Sequence, residues 1–275
     1  YNSISGKLKM YSAVGSWASG GALNTGRTNL GGAGTQTAAL AIGNPAVTET
    51  YDGSTWTEVA DLNDGRYDLS GVGTQTAALA VFGYPAANGD SAESWNGTSW
   101  TEVADGNTAR WNIAACGTTT AALAFGGEPG TGKLTESWNG TSWTEVGDLN
   151  TLHKETAALG VSTAVMCIGG GPPDIANVEE FDGSSWTEIA DLAAATRQAG
   201  TCGTSTALGL LCAGYESSAK TEYWDGVSWA EVADLATGRH QVATGSVGTT
   251  TLGLCVGGNP SSVEEWTVGQ NVEII

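Results

Sequence analysis

The sequence predicts an all-β fold: a six-bladed β-propeller of four-stranded antiparallel blades, closed by an N-terminal strand that completes the last blade. Three observations predict it. The first is a repeat: Trp17, Trp56, Trp100, Trp143, Trp186 and Trp229 mark copies of one phrase, "NGTSWTEV" and its variants, spaced 39, 44, 43, 43 and 43 residues apart. The second is that each copy divides into four short runs separated by turn residues. The third is the arithmetic of the ends. Trp17 has no three strands before it, and the last copy has three strands and no marker Trp after them.

The elements follow in order. The segment around Trp17 is the strand that should join the last blade. Each later copy supplies an inner strand a, then b, c and an outer strand d. In the third copy these are expected at Trp111–Cys116, Thr120–Phe125, Leu134–Trp138 and Ser142–Asp148. Strands a and b are rich in Ala, Gly and Thr, which suits crowding near a central axis. Strand b ends in Gly126-Gly127. Strands c and d meet at Asn139-Gly140, a strong hairpin signal, and the other copies use Asp52-Gly53, Asn96-Gly97, Asp182-Gly183 and Asp225-Gly226 there. An aromatic residue precedes each turn: Tyr51, Trp95, Trp138, Phe181, Trp224 and Trp266. In the five copies with a turn of this kind it stands five residues before the marker Trp, so strand alternation places both rings on one face, for either a two- or a four-residue loop. The last copy is expected to run Gln241–Gly245, Thr250–Val256 and Val263–Thr267. The organisation is then an arm at 1–10, a propeller at 11–268 and a tail at 269–275. The arm and tail should leave together as a ribbon toward a neighbouring structural chain.

Composition agrees with this fold. The 275 residues include 41 Gly and only 14% charged residues, poor material for long helices. The net charge is −19, from 29 acids and 10 bases. That field repels nucleic acid and anionic membrane, so neither is an expected partner. No apolar run is long enough to span a bilayer. The first residue is Tyr, so the chain begins either after processing or inside a longer product. Cys116 and Cys202 lie sixteen residues after their marker Trp. Cys167, Cys212 and Cys255 occupy a strand-b slot that other copies fill with Ala41, Val81 and Ala124. They read as small buried apolar residues, with no C-x-x-C and no Cys/His cluster of metal spacing.

Comparison among the copies gives the candidate site. Ten residues after each Trp stand Arg27, Arg66, Arg110, His153, Thr196 (with Arg197 beside it) and Arg239. The next slot varies: Thr28, Tyr67, Trp111, Lys154, Arg197, His240. Both slots lie where strand d hands over to strand a, on the face that also carries the variable b–c loops. A basic ring framed by such loops suits an anionic or hydroxyl-rich ligand, because Arg makes forked hydrogen bonds. The candidate ligand-binding residues are therefore Arg27, Arg66, Tyr67, Arg110, Trp111, His153, Lys154, Arg197, Arg239 and His240. A framework reading stands beside this one. Every copy carries a Glu seven residues before its Trp position (Glu49, Glu93, Glu136, Glu179, Glu222, Glu264), and five copies add Glu58, Glu102, Glu145, Glu188 and Glu231 with Asp61, Asp105, Asp148, Asp191 and Asp234. Ion pairs with these would occupy the ring.

The order of Gly pair, aromatic-(Asp/Asn)-Gly, Trp and Arg resembles the kelch family of β-propellers over about residues 16–267. That resemblance implies the fold, and the family spans oxidases, epimerases and binding modules. The hairpins "DGSTW", "DGSSW" and "DGVSW" are similar to the Asp-box of sialidases, but no residue separates Asp from Gly here. The Thr-rich, near-identical copies also resemble repeats of marine-virus tail and surface proteins.

Catalytic constellations are scarce. Two His do not make a multi-His metal site, and G-x-S-x-G and P-loop motifs are absent. Asn96-Gly97-Thr98 and Asn139-Gly140-Thr141 match a glycosylation acceptor, although the turn already explains Asn-Gly. The expectation is a non-enzymatic adhesion module that binds a glycan or similar surface ligand, without cofactor or metal, on an extracellular or virion (tail-fibre) surface. The alternatives are an epimerase or lyase acting on acidic sugars, and a structural connector.

Overall fold

A computed structural model of the chain describes residues 15–85, 89–130, 132–259 and 261–269. The expected arm, and the tail beyond Gly269, lie outside them. The first strand, β1, is Gly15–Ser19. Blade one is β2 (Gly31–Thr35), β3 (Ala38–Ile42), β4 (Thr48–Tyr51) and β5 (Trp56–Glu58). Blade two is β6 (Ser70–Thr74), β7 (Ala77–Val81), β8 (Ala92–Trp95) and β9 (Trp100–Glu102). Blade three is β10 (Ala114–Thr118), β11 (Ala121–Phe125), β12 (Thr135–Trp138) and β13 (Trp143–Glu145). Blade four is β14 (Ala157–Val161), β15 (Ala164–Gly170), β16 (Ile175–Phe181) and β17 (Trp186–Glu188). Blade five is β18 (Gly200–Ser205), β19 (Leu208–Cys212), β20 (Thr221–Trp224) and β21 (Trp229–Glu231). Blade six holds β22 (Leu252–Val256) and β23 (Val263–Val268), with β1 as its outer strand. Each sheet is an antiparallel meander, and one 3-10 turn at Tyr215–Ser217 is the only helical segment among the described residues.

The ring closes as its sequence predicts. Strand β1 pairs antiparallel with β23, with Trp17 opposite Trp266. The same aromatic pair recurs in every blade: Tyr51 faces Trp56, Trp95 faces Trp100, Trp138 faces Trp143, Phe181 faces Trp186 and Trp224 faces Trp229. Ring centroids within these pairs lie 4.8–5.4 Å apart. Each plate packs on the preceding blade. Tyr51 and Trp56 join Leu254, Val256 and Val263 of blade six, and Trp95 and Trp100 join Leu40 and Ile42 of blade one. Strand period two is thus split between interfaces: Leu40 and Ile42 serve the following blade, Ala39 and Ala41 the aromatic plate of their own. The core is therefore six inter-blade layers, each anchored by residues whose truncation costs about 3–5 kcal/mol.

The c–d loop has four residues. In blade one, the Asp52 amide donates to the Thr55 carbonyl at 3.2 Å, and Asp52 Oδ1 accepts from the Ser54 and Thr55 amides. Those donors, with the Ser54 hydroxyl, hold the Asp52 carboxyl down at about 2. Gly53 sits at φ 92°, a conformation open to Gly, and this explains the invariant second turn position.

Three expectations need correction. Strand a of the third copy starts at Ala114 rather than Trp111, because Asn112 turns at φ 56°. Strand d ends at Glu145. In the last copy, Gln241–Gly245 is no regular strand. Residues 241–248 pair with the backbone of their own sheet through the isolated bridges Val242–Gly257 and Gly248–Gly253. They also turn inward: the Thr244 carbonyl accepts from the Gly32 amide at 2.7 Å, and the Thr244 hydroxyl donates to Leu69 at 2.6 Å. Ser246 Oγ donates to the Gly203 carbonyl. One segment thus bonds to blades one, two and five. Gly245 permits it, since a Cβ there would lie 2.1 Å from the Gly71 carbonyl oxygen.

Candidate functional site

In five of the six copies the slot ten residues after the Trp is built into the framework. Arg27, Arg66, Arg110, His153 and Arg239 are all at most 3% exposed. Arg27 Nη2 lies 2.8 Å from Glu49, Arg110 Nη2 2.8 Å from Glu136, Arg66 Nη2 3.4 Å from Glu93, and Arg239 pairs with Glu264. Arg27 Nη1 also donates to the Gly43 and Val47 carbonyls, and Arg110 Nη1 to the matching Gly126 and Leu134 carbonyls. Burial lowers the pKa of Arg27, Arg66 and Arg110, and the Glu partners oppose that. Each Glu is oriented by the turn before it: Glu49 accepts from the Asn24 and Thr25 amides, Glu179 from those of Asn150 and Thr151.

His153 is the aromatic version of this cation. Its Nδ1 is 2.7 Å from the Gly169 carbonyl, and its Nε2 is 3.3 Å from Glu179. Burial opposes the imidazolium, but Cys167, Glu179 and Gly169 together raise it to about 11. These five side chains therefore offer no charge to a ligand arriving from solvent, which corrects the expectation that they line a binding ring. The carboxylates they use are the set seven residues before the Trp positions.

The next slot is different. Tyr67 is 36% exposed, and Trp111, Lys154, Arg197 and His240 are part-exposed. They form a rim on the b–c loop face. Tyr67 and Tyr84 rings lie 5.1 Å apart, and Trp111 meets Tyr84 edge-on at 5.3 Å. Lys154 Nζ is 3.4 Å from Glu128; Arg197 reaches Glu155 at 3.0 Å and Asp174 at 3.3 Å. The Arg197 guanidinium also lies 3.6 Å over the Tyr215 ring. The rim has an aromatic half and a charged half.

Inside the rim lies a collar of Asn29, Asp68, Asn112, Glu155, Gln198 and Gln241. All six have φ between 53° and 58°. Their backbones form a closed cycle: Asn29 donates to Gln241, Gln241 to Gln198, Gln198 to Glu155, Glu155 to Asn112, Asn112 to Asp68 and Asp68 to Asn29, at 2.8–3.1 Å. Left-handed backbone at a non-Gly residue costs on the order of 1 kcal/mol, and such strain gathers at functional sites. The six side chains surround a small cleft floored by Thr244, with about 20 Å³ of free space. Asn112 donates to Glu128 at 3.0 Å and Gln198 to Glu155 at 2.7 Å. Burial pushes the Asp68 carboxyl up to about 7, with Glu155 and Glu128 pushing the same way; Glu155 is raised as well, again by burial first. Sequence reasoning did not single out the collar. Its signal was there: an amide or carboxylate twelve residues after every marker Trp.

The expectation for the cysteines holds. All five are buried and unpaired, and burial raises the Cys116 thiol. Among the described residues, no group of three or more His, Cys, Asp or Glu has the arrangement of a metal site.

No known protein family matches this chain, and no curated protein resembles it in sequence. Among solved structures, the one titled "Structure of YjhT" superimposes with a TM-score of 0.74 at 14% identity, over 91% of this chain and 97% of that one. At that identity the likeness is one of fold: this chain is a six-bladed β-propeller.

Proposed function

We propose that this chain is a non-enzymatic binding module that takes a hydroxyl-rich ligand, of the glycan class, on the b–c loop face. The observation that carries the reading is the collar: six polar side chains on strained, mutually bonded backbone, beside the Tyr67–Tyr84–Trp111 aromatic cluster. Amides and carboxylates supply both donors and acceptors for hydroxyls, and aromatic faces supply apolar contact for sugar rings. A scaffold that repeats everywhere except on one face is also what a recognition surface requires. The acidic charge suits display on an extracellular or virion surface. Attachment to a neighbouring chain would run from Gly15 and Val268, which stand opposite each other.

The test is a glycan array followed by calorimetry on the wild type and on a Tyr67→Ala/Trp111→Ala double variant. Binding to the selected glycan should fall by tenfold or more, with the melting temperature little changed because both rings are part-exposed. Unchanged affinity in the double variant removes this face from consideration. Asp68 favours a second reading, the epimerase or lyase. A carboxyl that titrates near neutrality can move a proton, whereas the buried Arg110 cannot reach a substrate. Turnover of an acidic sugar abolished by Asp68→Asn would support that reading; no turnover in the wild type would end it.

A further inference from the structure

Blade five lacks the framework cation. Thr196 stands where the other blades place Arg or His, and Ala193 stands where Asn24, Asn63, Asn107 and Asn150 stand in blades one to four. The space a guanidinium fills elsewhere is here an open pocket of about 350 Å³, lined by Ala194, Thr196, Ala213, Tyr215, Lys220 and Glu222 among others. Its acceptors correspond to those of the filled blades. In blade one the Arg27 guanidinium is held by Glu49 and by the carbonyls of Gly43 and Val47. The equivalent residues in blade five are Glu222, Ala213 and Lys220, and the backbone bond that frames them is kept: Gly43 to Val47 at 2.9 Å, Ala213 to Lys220 at 3.0 Å.

Glu222 is 5% exposed and keeps the two backbone donors, accepting from the Ala193 and Ala194 amides at 2.8 and 3.0 Å, but lacks the Asn side-chain donor its counterparts in blades one to four have. Among the described residues no cation lies within ion-pair distance of it. The nearby Lys220 ammonium pairs outward with Glu231 at 3.2 Å, and Arg197 is taken by Glu155 and Asp174. A buried carboxylate without a counter-charge is costly, and a cation that fits the socket recovers that cost. The pocket lining adds Asp174, which Arg197 pairs, and Glu216, against the one cation Lys220, so carboxylates outnumber cations in it.

We propose that this pocket is a binding site for a guanidinium group, which enters the place that Arg27, Arg66, Arg110 and Arg239 occupy in their own blades. The group would come from an arginine side chain of a partner protein or from a free guanidino compound. The site is separate from the collar and does not depend on how the collar is used.

The experiment is calorimetric titration of the intact chain with methylguanidinium, with tetramethylammonium as a cation that has no N–H donors. Methylguanidinium should bind with one-to-one saturation and tetramethylammonium should not. Thr196→Arg, which supplies the missing side chain, should abolish binding and raise the melting temperature. Glu222→Gln should weaken binding about tenfold or more while leaving the fold intact, which keeps the test open should Thr196→Arg fold poorly. A short Gly-Arg-Gly peptide separates the sources: tighter binding than methylguanidinium favours a protein arginine, equal or weaker binding a free guanidino compound. Absence of saturable methylguanidinium binding to the wild type, or equal binding by Glu222→Gln, overturns the proposal.

Discussion

At the scale of single residues, one position decides between framework and pocket. Arg at the slot after strand d fills its socket and neutralises a buried Glu; His153 does so only while protonated. Its folded pKa, about 11, exceeds the ordinary 6.5, so the stability it contributes is complete below pH 6.5 and is lost as the pH rises toward 11. Glu179 has the opposite sign. Burial raises it, but His153 and the Asn150 and Thr151 donors outweigh that and hold it at about 2, so its contribution is complete above pH 4.5 and is lost as the pH falls toward 2. His153→Arg should therefore flatten the alkaline limb of the stability–pH curve, measured by urea denaturation, and leave the acid limb in place. The sequence showed Arg slot and Glu slot at fixed offsets but not which use the cation had. Both readings need the same residues, and only burial separates them. The collar was harder to read, because Glu155, Gln198 and Gln241 carry no sign of left-handed backbone, and Asn29, Asp68 and Asn112 a weaker one than Gly would.

At the scale of elements, the outer strands show a second pattern. Trp100 Nε1 donates to Thr48 Oγ1, Trp186 to Thr135 and Trp17 to Thr221, each on the preceding blade. The equivalent positions for Trp143, Trp229 and Trp56 are Ala92, Val178 and Val263, which have no hydroxyl. Trp56 turns to the Gly21 carbonyl, while Trp143 and Trp229 are left with buried, unpartnered N–H groups. Val178→Thr keeps nearly the same shape and adds the missing acceptor, so it should stabilise by about 1 kcal/mol in chemical denaturation. Thr48→Val should destabilise by about 1–3 kcal/mol by orphaning Trp100. Elements were largely legible from alternation and turn residues. The exception, residues 241–248, escaped because small Gly, Thr and Ser residues suit both an edge strand and a segment that turns inward to other blades.

At the scale of the whole molecule, closure depends on β1. A Cβ on Gly15 would lie 1.9 Å from the Trp266 ring, so Gly15→Ala must displace either the strand or the ring. The variant should melt at a lower temperature and be cut by protease near β1 first, because the β23 edge is left uncovered. This level was readable from counting alone: three expected strands at one end and one at the other left a single way to close six blades, although the first of the three is no regular strand.

The cycle of six collar amides has a kinetic meaning. In a linear array the terminal unit can peel away by breaking one interface. In a loop of donors and acceptors no unit is terminal, and a blade comes free only when two interfaces open together. Exchange of the six collar protons with solvent is then tied to the least frequent opening of the ring, not to fraying of any one blade. The circle should therefore lengthen the propeller's lifetime, and slow exchange of all six collar amides at one common rate would show it.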